Sequence, residues 1–370
     1  MAESSLASAR ERLRRFAEQE TAGASPLYEH LAAEAAADDE VAGLLTAAAP
    51  EFATPTLLLA AAHRLVLAEP ISDLANYYSS VGGDYGVDGA TWLIFRGFVM
   101  ARAEKMRALI GSRSTQTNEV RRAALLYPAV ALAAREAGGP VGLLEAGCSA
   151  GLLLGMDGYG YRYRVDDDEP LVAGPSKTPL VLDCALRLAG GAKPPKLPKK
   201  LAIGARVGLD RAPVDLTDEE AYAWLEACIW ADHPERLRRL SLAAALQRKQ
   251  RPEFVTGDVV DALALAARRI PSELPIVVIT SYALPYLKPE RRVDFIAALG
   301  ALAADRPLWW VSLEPYREGL VGLLPDRADL AGAADRSLLT LGLVRWQEGT
   351  ASARALANAA SHGERMEWLP

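Results

Sequence analysis

The chain is poor in the residues that hold metals and close disulfides. It carries three cysteines and four histidines in 370 residues. Cys148, Cys184 and Cys228 are odd in number and far apart, without the paired spacing of a zinc site or a disulfide framework. His30, His63, His233 and His362 show no clustered ligand spacing, so no metal is expected. Long apolar runs are also missing. None reaches the roughly 20 residues of a membrane span, and the opening stretch, MAESSLASARERLRRF, is charged and amphipathic with no apolar signal segment. The net charge of −6 is not the basic excess that marks a nucleic-acid binder. These absences lead to an expectation of a cytoplasmic protein whose partner is a small-molecule substrate, with no nucleic acid and no membrane. They leave its oligomeric state open.

What is present supports a large folded core. Hydrophobic residues make up 51% and charged residues 24%, as in ordinary globular proteins, and the length favours two domains. Residues 1–138 read as helical. LYEHLAAEAAADDEVAGLL and TPTLLLAAAHRLVLA repeat apolar positions every three or four residues, with Pro50, Pro55 and Pro70 between them. TNEVRRAALLYPAVALAAREAGG reads as a helix closed by Gly138 and Gly139. Beyond residue 140, short apolar runs (VGLLEAG, ARVGLD, EFVTGD, PIVVITS, PLWWVSLE) alternate with helical stretches, the pattern of a parallel sheet covered on both faces. SLLTLGLVRWQ and ERMEWLP read as late edge strands, an antiparallel pair. YGYRYRVDDDEP alternates like a strand onto which PLVLDCALRL pairs back. The proline- and lysine-rich AGGAKPPKLPKKLA follows as a lid, a docking segment or a solvated linker.

LLEAGCSAGLLL supports two chemistries. Gly147-Cys148-Ser149-Ala150-Gly151 spells G-x-S-x-G, the elbow of a serine hydrolase, with His362 and either Glu314 or Asp294 placed to complete a triad. The elbow, however, normally follows several strands, and the preceding chain reads as helical. Glu145, near the end of the strand, also has no use in an elbow. An acid ending the first strand, then G-x-x-x-G, then a helix, resembles the opening of class I S-adenosylmethionine methyltransferases. In that reading Glu145, Gly147, Ser149 and Gly151 hold the cofactor. The dinucleotide fingerprint G-x-G-x-x-G is absent.

Later acids continue the pattern. Asp210, in GLDRAP after the next strand, is placed to take ribose hydroxyls, as the acid of dinucleotide folds does. Asp258, in FVTGDVVDAL, stands where such folds address the adenine amino group. Asp166 competes with Asp210, because it lies at the usual distance of about 20 residues from the first strand. VVITSYALPYL forms the wall beside the methyl group.

With these residues in view, the chain resembles domain-of-unknown-function family 2332. The likeness spans LLLAAAHRLVL, TQTNEVRRAALL, LLEAGCSAGLLL, GLDRAPVDLTD, WLEACIWADHPERLRRL and the closing HGERMEWL. Members of that family resemble class I S-adenosylmethionine methyltransferases in their C-terminal part. Ser149 departs from the middle glycine that many methyltransferases carry. The resemblance implies an α/β fold: a Rossmann-like methyltransferase sheet with helices on both faces over residues 139–370, a β-hairpin insertion at about 158–202, and an all-helical domain over residues 1–138. The expected activity is methyl transfer from S-adenosylmethionine to a small-molecule oxygen, nitrogen or carbon nucleophile. The alternatives are the Ser149/His362 hydrolase and a non-catalytic binding protein.

The acceptor side is drawn from fewer signals. In TQTNE, Gln116, Asn118 and Glu119 either cap a helix or line the methyl-donor pocket, Gln116 and Asn118 toward the cofactor and Glu119 toward the chemistry. His233 beside Asp232 is a candidate base, or part of a plain helix break. Tyr282, with Tyr286, follows the fourth strand at the expected active edge. His63 sits on an apolar helix face, as a hydrogen-bonded core residue does.

Overall fold

The computed structural model describes residues 2–165, 169–331 and 338–370. The chain divides into two compact units, Met1–Asn118 with Leu216–Leu240, and Glu119–Asp215 with Ser241–Pro370. No helix among the described residues is long and apolar enough to cross a membrane.

The first unit is helical. Pro55, read as punctuation in the sequence, begins a helix rather than ending one, and so does Pro26. Pro26 opens Pro26–Ala37, with Ser25 accepting from the Tyr28 amide at 3.1 Å, and Pro55 opens Pro55–Ala68, with Thr54 accepting from the Leu57 amide at 3.3 Å. Proline suits the first helical position because its missing N–H has no partner there anyway. Leu57 through His63 are all buried, in a core shared with Leu13, Phe16, Tyr28, Phe95 and Trp224.

The division does not fall at the expected boundary of residue 138. The helix Arg122–Ala137 belongs to the second unit, where it packs on the sheet, and residues 216–240 belong to the first. Burial gives the reason: Arg122 through Ala131 are all buried, and a helix apolar on every side is a core element, not the end of a surface bundle.

The second unit is built on eleven strands: β1 Val141–Ala146, β2 Gly160–Arg164, β3 Leu171–Ala173, β4 Val181–Leu188, β5 Ile203–Asp210, β6 Glu253–Thr256, β7 Ile276–Ser281, β8 Leu308–Glu314, β9 Leu338–Gln347, β10 Thr350–Ala360 and β11 Arg365–Trp368. They form one sheet in the order β3-β2-β4-β11-β10-β9-β8-β7-β1-β5-β6. The block from β8 to β6 is parallel throughout, and β1 and β8 are buried along their whole length. Burial on both faces explains why they read as unbroken apolar runs. Trp309 and Trp310 show the two faces directly, because successive side chains in a strand point to opposite sides. Trp309 Nε1 donates to Glu136 of the helix Arg122–Ala137 at 2.9 Å, while Trp310 meets Phe295 of the helix Pro289–Asp305 edge-on at 5.8 Å.

Three strand expectations need correction. β9 and β11 are neither an edge pair nor bonded to each other. β10 lies between them and pairs antiparallel with both, and β11 continues in parallel onto β4. β10 (TASARALANAA) is rich in alanine, which is depleted in strands, so the sequence does not announce it. In the insertion, β2 and β4 do pair, but in parallel, with Tyr161 opposite Leu182. The hairpin partner of β2 is the short β3, with Arg162 opposite Val172. The insertion therefore extends the sheet instead of folding over it.

Candidate functional site

β1 lies between β5 and β7. After β1 the chain builds β5 and β6 to one side, then β7 and β8 to the other. Crevices in open α/β sheets form outside the carboxyl ends of strands at such a switch point. The loop leaving β1 there is left-handed at three of five residues: Gly147 (φ 81°), Ser149 (φ 48°) and Gly151 (φ 65°). A Cβ on Gly147 would stand 2.8 Å from the Ala283 Cβ, and one on Gly151 would stand 2.9 Å from the Phe254 ring. These glycines therefore serve both a turn only glycine adopts freely and close packing.

The loop is laced to the end of β5. The amides of Gly147 and Cys148 donate to the Leu209 carbonyl at 2.8 and 3.2 Å. Asp210 Oδ2 accepts from the Ser149 amide at 2.8 Å, and Oδ1 accepts from the Ala212 amide at 2.9 Å. Asp166, the rival for that role, lies outside the described residues.

The helix expected after the loop is absent. A 3₁₀ turn, Leu153–Gly158, leads straight to β2. Gly155 and Gly158 weaken any α-helix there, and side chains take the carbonyls that a helix would use: Tyr159 Oη donates to Leu152 at 2.5 Å, Gln247 Nε2 to Ala150 at 3.0 Å, and Arg206 Nε to Leu154 at 3.2 Å.

Glu145 is buried, at 4% exposure, and its Oε2 has no hydrogen-bond partner among the described residues. Burial, then the nearby charge of Asp210, push its carboxyl well above the usual carboxylate range, against a backbone hydrogen bond at Leu154. Burial, with Glu145 and Asp210, likewise pushes the Cys148 thiol up, which removes it as a ready nucleophile.

Asp258 is differently placed. Burial alone would raise it, but hydrogen bonds from Arg211, the Val260 amide and Arg291 hold it down to about 2. Its Oδ2 meets Arg211 at 2.5 Å and its Oδ1 meets Arg291 at 2.9 Å. Arginines and a backbone amide thus occupy the carboxylate read as an adenine contact.

A second cluster forms at the carboxyl ends of β7 and β8. Tyr282 has φ 57°, an outlier for a bulky side chain. Its amide donates to the Leu313 carbonyl at 3.0 Å, and its ring lies 5.5 Å below the Arg122 guanidinium and 6.4 Å from Tyr286. Arg122 is buried, with Nε donating to Ser361 at 2.8 Å and Nη1 to Ser281 at 3.3 Å. Glu119 is buried beside it, its Oε1 accepting from the Arg121 amide at 3.1 Å and its Oε2 standing 3.8 Å from Nδ1 of the half-exposed His362. Glu314 holds the turn after β7 from below, accepting from the Ala283 and Leu284 amides at 3.0 and 3.3 Å. Burial pushes its carboxyl up to about 7, against those bonds, one from Thr280 and the charge of Arg122.

Among the expected acceptor residues, Tyr282 lies under the Arg122 guanidinium, and the Arg122 amide donates to the Glu119 carbonyl at 3.1 Å. Arg122 carried no sequence signal beyond its place at the start of an apolar helix. His362 stands beside Glu119. His233 lies in the other unit, where its Nε2 contacts the Ala24 carbonyl at 2.9 Å and its ring packs on Trp230 at 5.3 Å. Asp232 there accepts from Ser25. Gln116 and Asn118 also belong to the first unit, in the irregular stretch after the helix Ala103–Ser112. His63 is a core residue: its Nδ1 meets the Ala227 and Ile229 carbonyls at 3.1 and 2.9 Å, its Nε2 meets Ser80 at 2.7 Å, and burial pushes it down to about 4.

A family model described as an uncharacterized protein conserved in bacteria matches residues 10–368 of the chain. No curated protein matches it, and no solved structure does.

Proposed function

The chain belongs to domain-of-unknown-function family 2332, and we propose that it is an S-adenosylmethionine-dependent methyltransferase with a Rossmann-like cofactor sheet, acting on a small-molecule nucleophile. One observation carries the reading: at the switch point, Glu145 and Asp210, from adjacent parallel strands, flank the Gly147–Gly151 loop.

The residues present leave acceptor sites for each of the cofactor's three parts. Burial raises the Glu145 carboxyl, and an ammonium group facing its unpartnered oxygen would favour the charged form and pair with it. Asp210 spends one acceptor site on each oxygen, and a carboxylate has about four, so hydroxyls can still be held there. Asp258 has three of its sites taken, by Arg211, Arg291 and the Val260 amide, which leaves one for an adenine amino group. When bound, the sulfonium would supply an electrophilic methyl group for in-line displacement. Arg122 and Tyr282 would then orient the acceptor, Glu314 would keep their turn rigid, and Glu119 with His362 would receive the acceptor's proton at the imidazole. Orientation of this kind contributes about 7–11 kcal/mol in favourable cases.

Ser149 sustains a second reading, because its left-handed φ is the kind of strained turn a nucleophile elbow needs. The missing helix weighs against it, since the elbow is a strand-to-helix turn. A thermal-shift series with millimolar S-adenosylmethionine tests the proposal. A concentration-dependent rise in Tm supports it, and an unchanged Tm counts against it.

A further inference from the structure

The end of β1 opposite Glu145 opens into a cleft of about 610 Å³, within the range of roughly 300–1,000 Å³ typical of small-molecule sites. Its walls are the last turns of the helix Arg122–Ala137, the turn Gly138–Pro140 that enters β1, and the segment that enters β5. The lining divides sharply by chemistry. Ala131, Ala134, Leu197 and Leu201 give it an apolar floor, and every charged lining residue is a cation: Arg135, Lys196 and Lys200.

Lys196 sits on a stiffened strap, and Lys200 follows it. Residues 192–198 lie outside helix and strand. Pro194, Pro195 and Pro198 each fix φ near −65° and remove an amide donor. The strap is anchored through the Pro198 carbonyl, which accepts from Tyr127 Oη at 2.8 Å and from the Gly174 amide at 3.2 Å. The helix C-terminus in the wall carries about half a negative charge, which three full cations outweigh.

We propose that this cleft binds an amphiphilic anion, a carboxylate or phosphate head held by Arg135, Lys196 and Lys200 with its apolar body against Ala131, Ala134, Leu197 and Leu201. The site is separate from the carboxyl-end crevice and stands whether or not the chain binds S-adenosylmethionine. Such an anion exists as a free monomer or as a lipid in a bilayer, and the concave apolar floor favours the monomer.

Calorimetric titration of the full chain with decanoate, below its micelle concentration, is expected to give a single site. Decanamide, its neutral counterpart, is expected to bind at least about tenfold more weakly, the loss of one charge-assisted contact. Lys196→Glu with Lys200→Glu, both exposed positions, should cause a similar loss without changing the thermal transition. Ala134→Trp should block the floor. No decanoate binding, equal binding of decanamide, or indifference to the lysine changes would overturn the proposal. Co-sedimentation with phosphatidylglycerol vesicles that depends on both lysines, without decanoate binding, would overturn it in favour of a membrane surface.

Discussion

Ser149 and Asp210, 61 positions apart in the chain, are joined by a hydrogen bond of 2.8 Å from the Ser149 amide to Oδ2. That bond holds the loop after β1 against the end of β5 and makes one carboxylate both a loop anchor and a candidate ligand contact. Removing it has a structural consequence of its own. Asp210→Ala takes the side-chain acceptor from the half-buried Ser149 amide, a cost of about 1 kcal/mol, while the exposed Ala212 amide can turn to water. Asp210→Asn keeps one acceptor and should lose less. Urea denaturation of the two variants should show that order.

Ser149→Ala separates the loop reading from the hydrolase reading. The substitution removes the hydroxyl and keeps the backbone bond to Asp210. Cofactor affinity should change by about 1 kcal/mol or less, the scale of one neutral hydrogen bond. A fluorophosphonate probe should not label the wild type at Ser149. Stoichiometric labelling that is lost on denaturation would mean a nucleophile.

Glu314 predicts a pH effect. Its folded carboxyl is raised from 4.5 to about 7, so its contribution to stability is fully present below the unfolded value and is lost as pH rises through the folded one. A shift of that size corresponds to about 3 kcal/mol. Stability of the wild type should fall between about pH 4.5 and 7 relative to Glu314→Gln, and the difference should level off above that window. Parallel pH profiles for the two proteins would remove Glu314 as the source.

Tyr282 should separate stability from function. Tyr282→Gly relieves a left-handed φ that costs about 1–3 kcal/mol in a non-glycine residue and deletes the ring beneath Arg122. Its Tm should fall little or rise, while turnover, once an acceptor is known, should drop by more than about tenfold. A large loss of Tm with unchanged turnover would make the ring a packing element only.

The legible parts of the fold are those where one physical signal dominates. β1, β7 and β8 read as strands because double-sided burial leaves unbroken apolar runs bounded by turn residues, and β5, buried only over Val207–Leu209, reads from its short apolar end with Asp210 closing it. The acceptor cluster was half legible. Glu119 and Tyr282 drew notice as polar or aromatic residues at element ends. Their link, Arg122, is one of two adjacent arginines that the sequence does not distinguish. His362 could not be placed beside Glu119 without β10, whose alanines hide it. Only β10 and β11 bring the turn Ser361–Gly363 back against Arg121, where a Cβ on Gly363 would stand 2.6 Å from the Arg121 backbone. His233 reads as a base because a histidine beside an acid is a local pattern, whereas its contact with Ala24 is not local.

The most direct test of the cofactor assignment is calorimetric titration of the wild type, Glu145→Gln and Asp210→Ala with S-adenosylhomocysteine. The wild type should bind with micromolar affinity. Asp210→Ala should bind about 10- to 150-fold more weakly, the range for a hydrogen bond to a charged group, and Glu145→Gln should also be weakened by loss of the charge that meets the ammonium. No heat from the wild type at millimolar ligand, or equal affinity in all three proteins, would contradict the assignment.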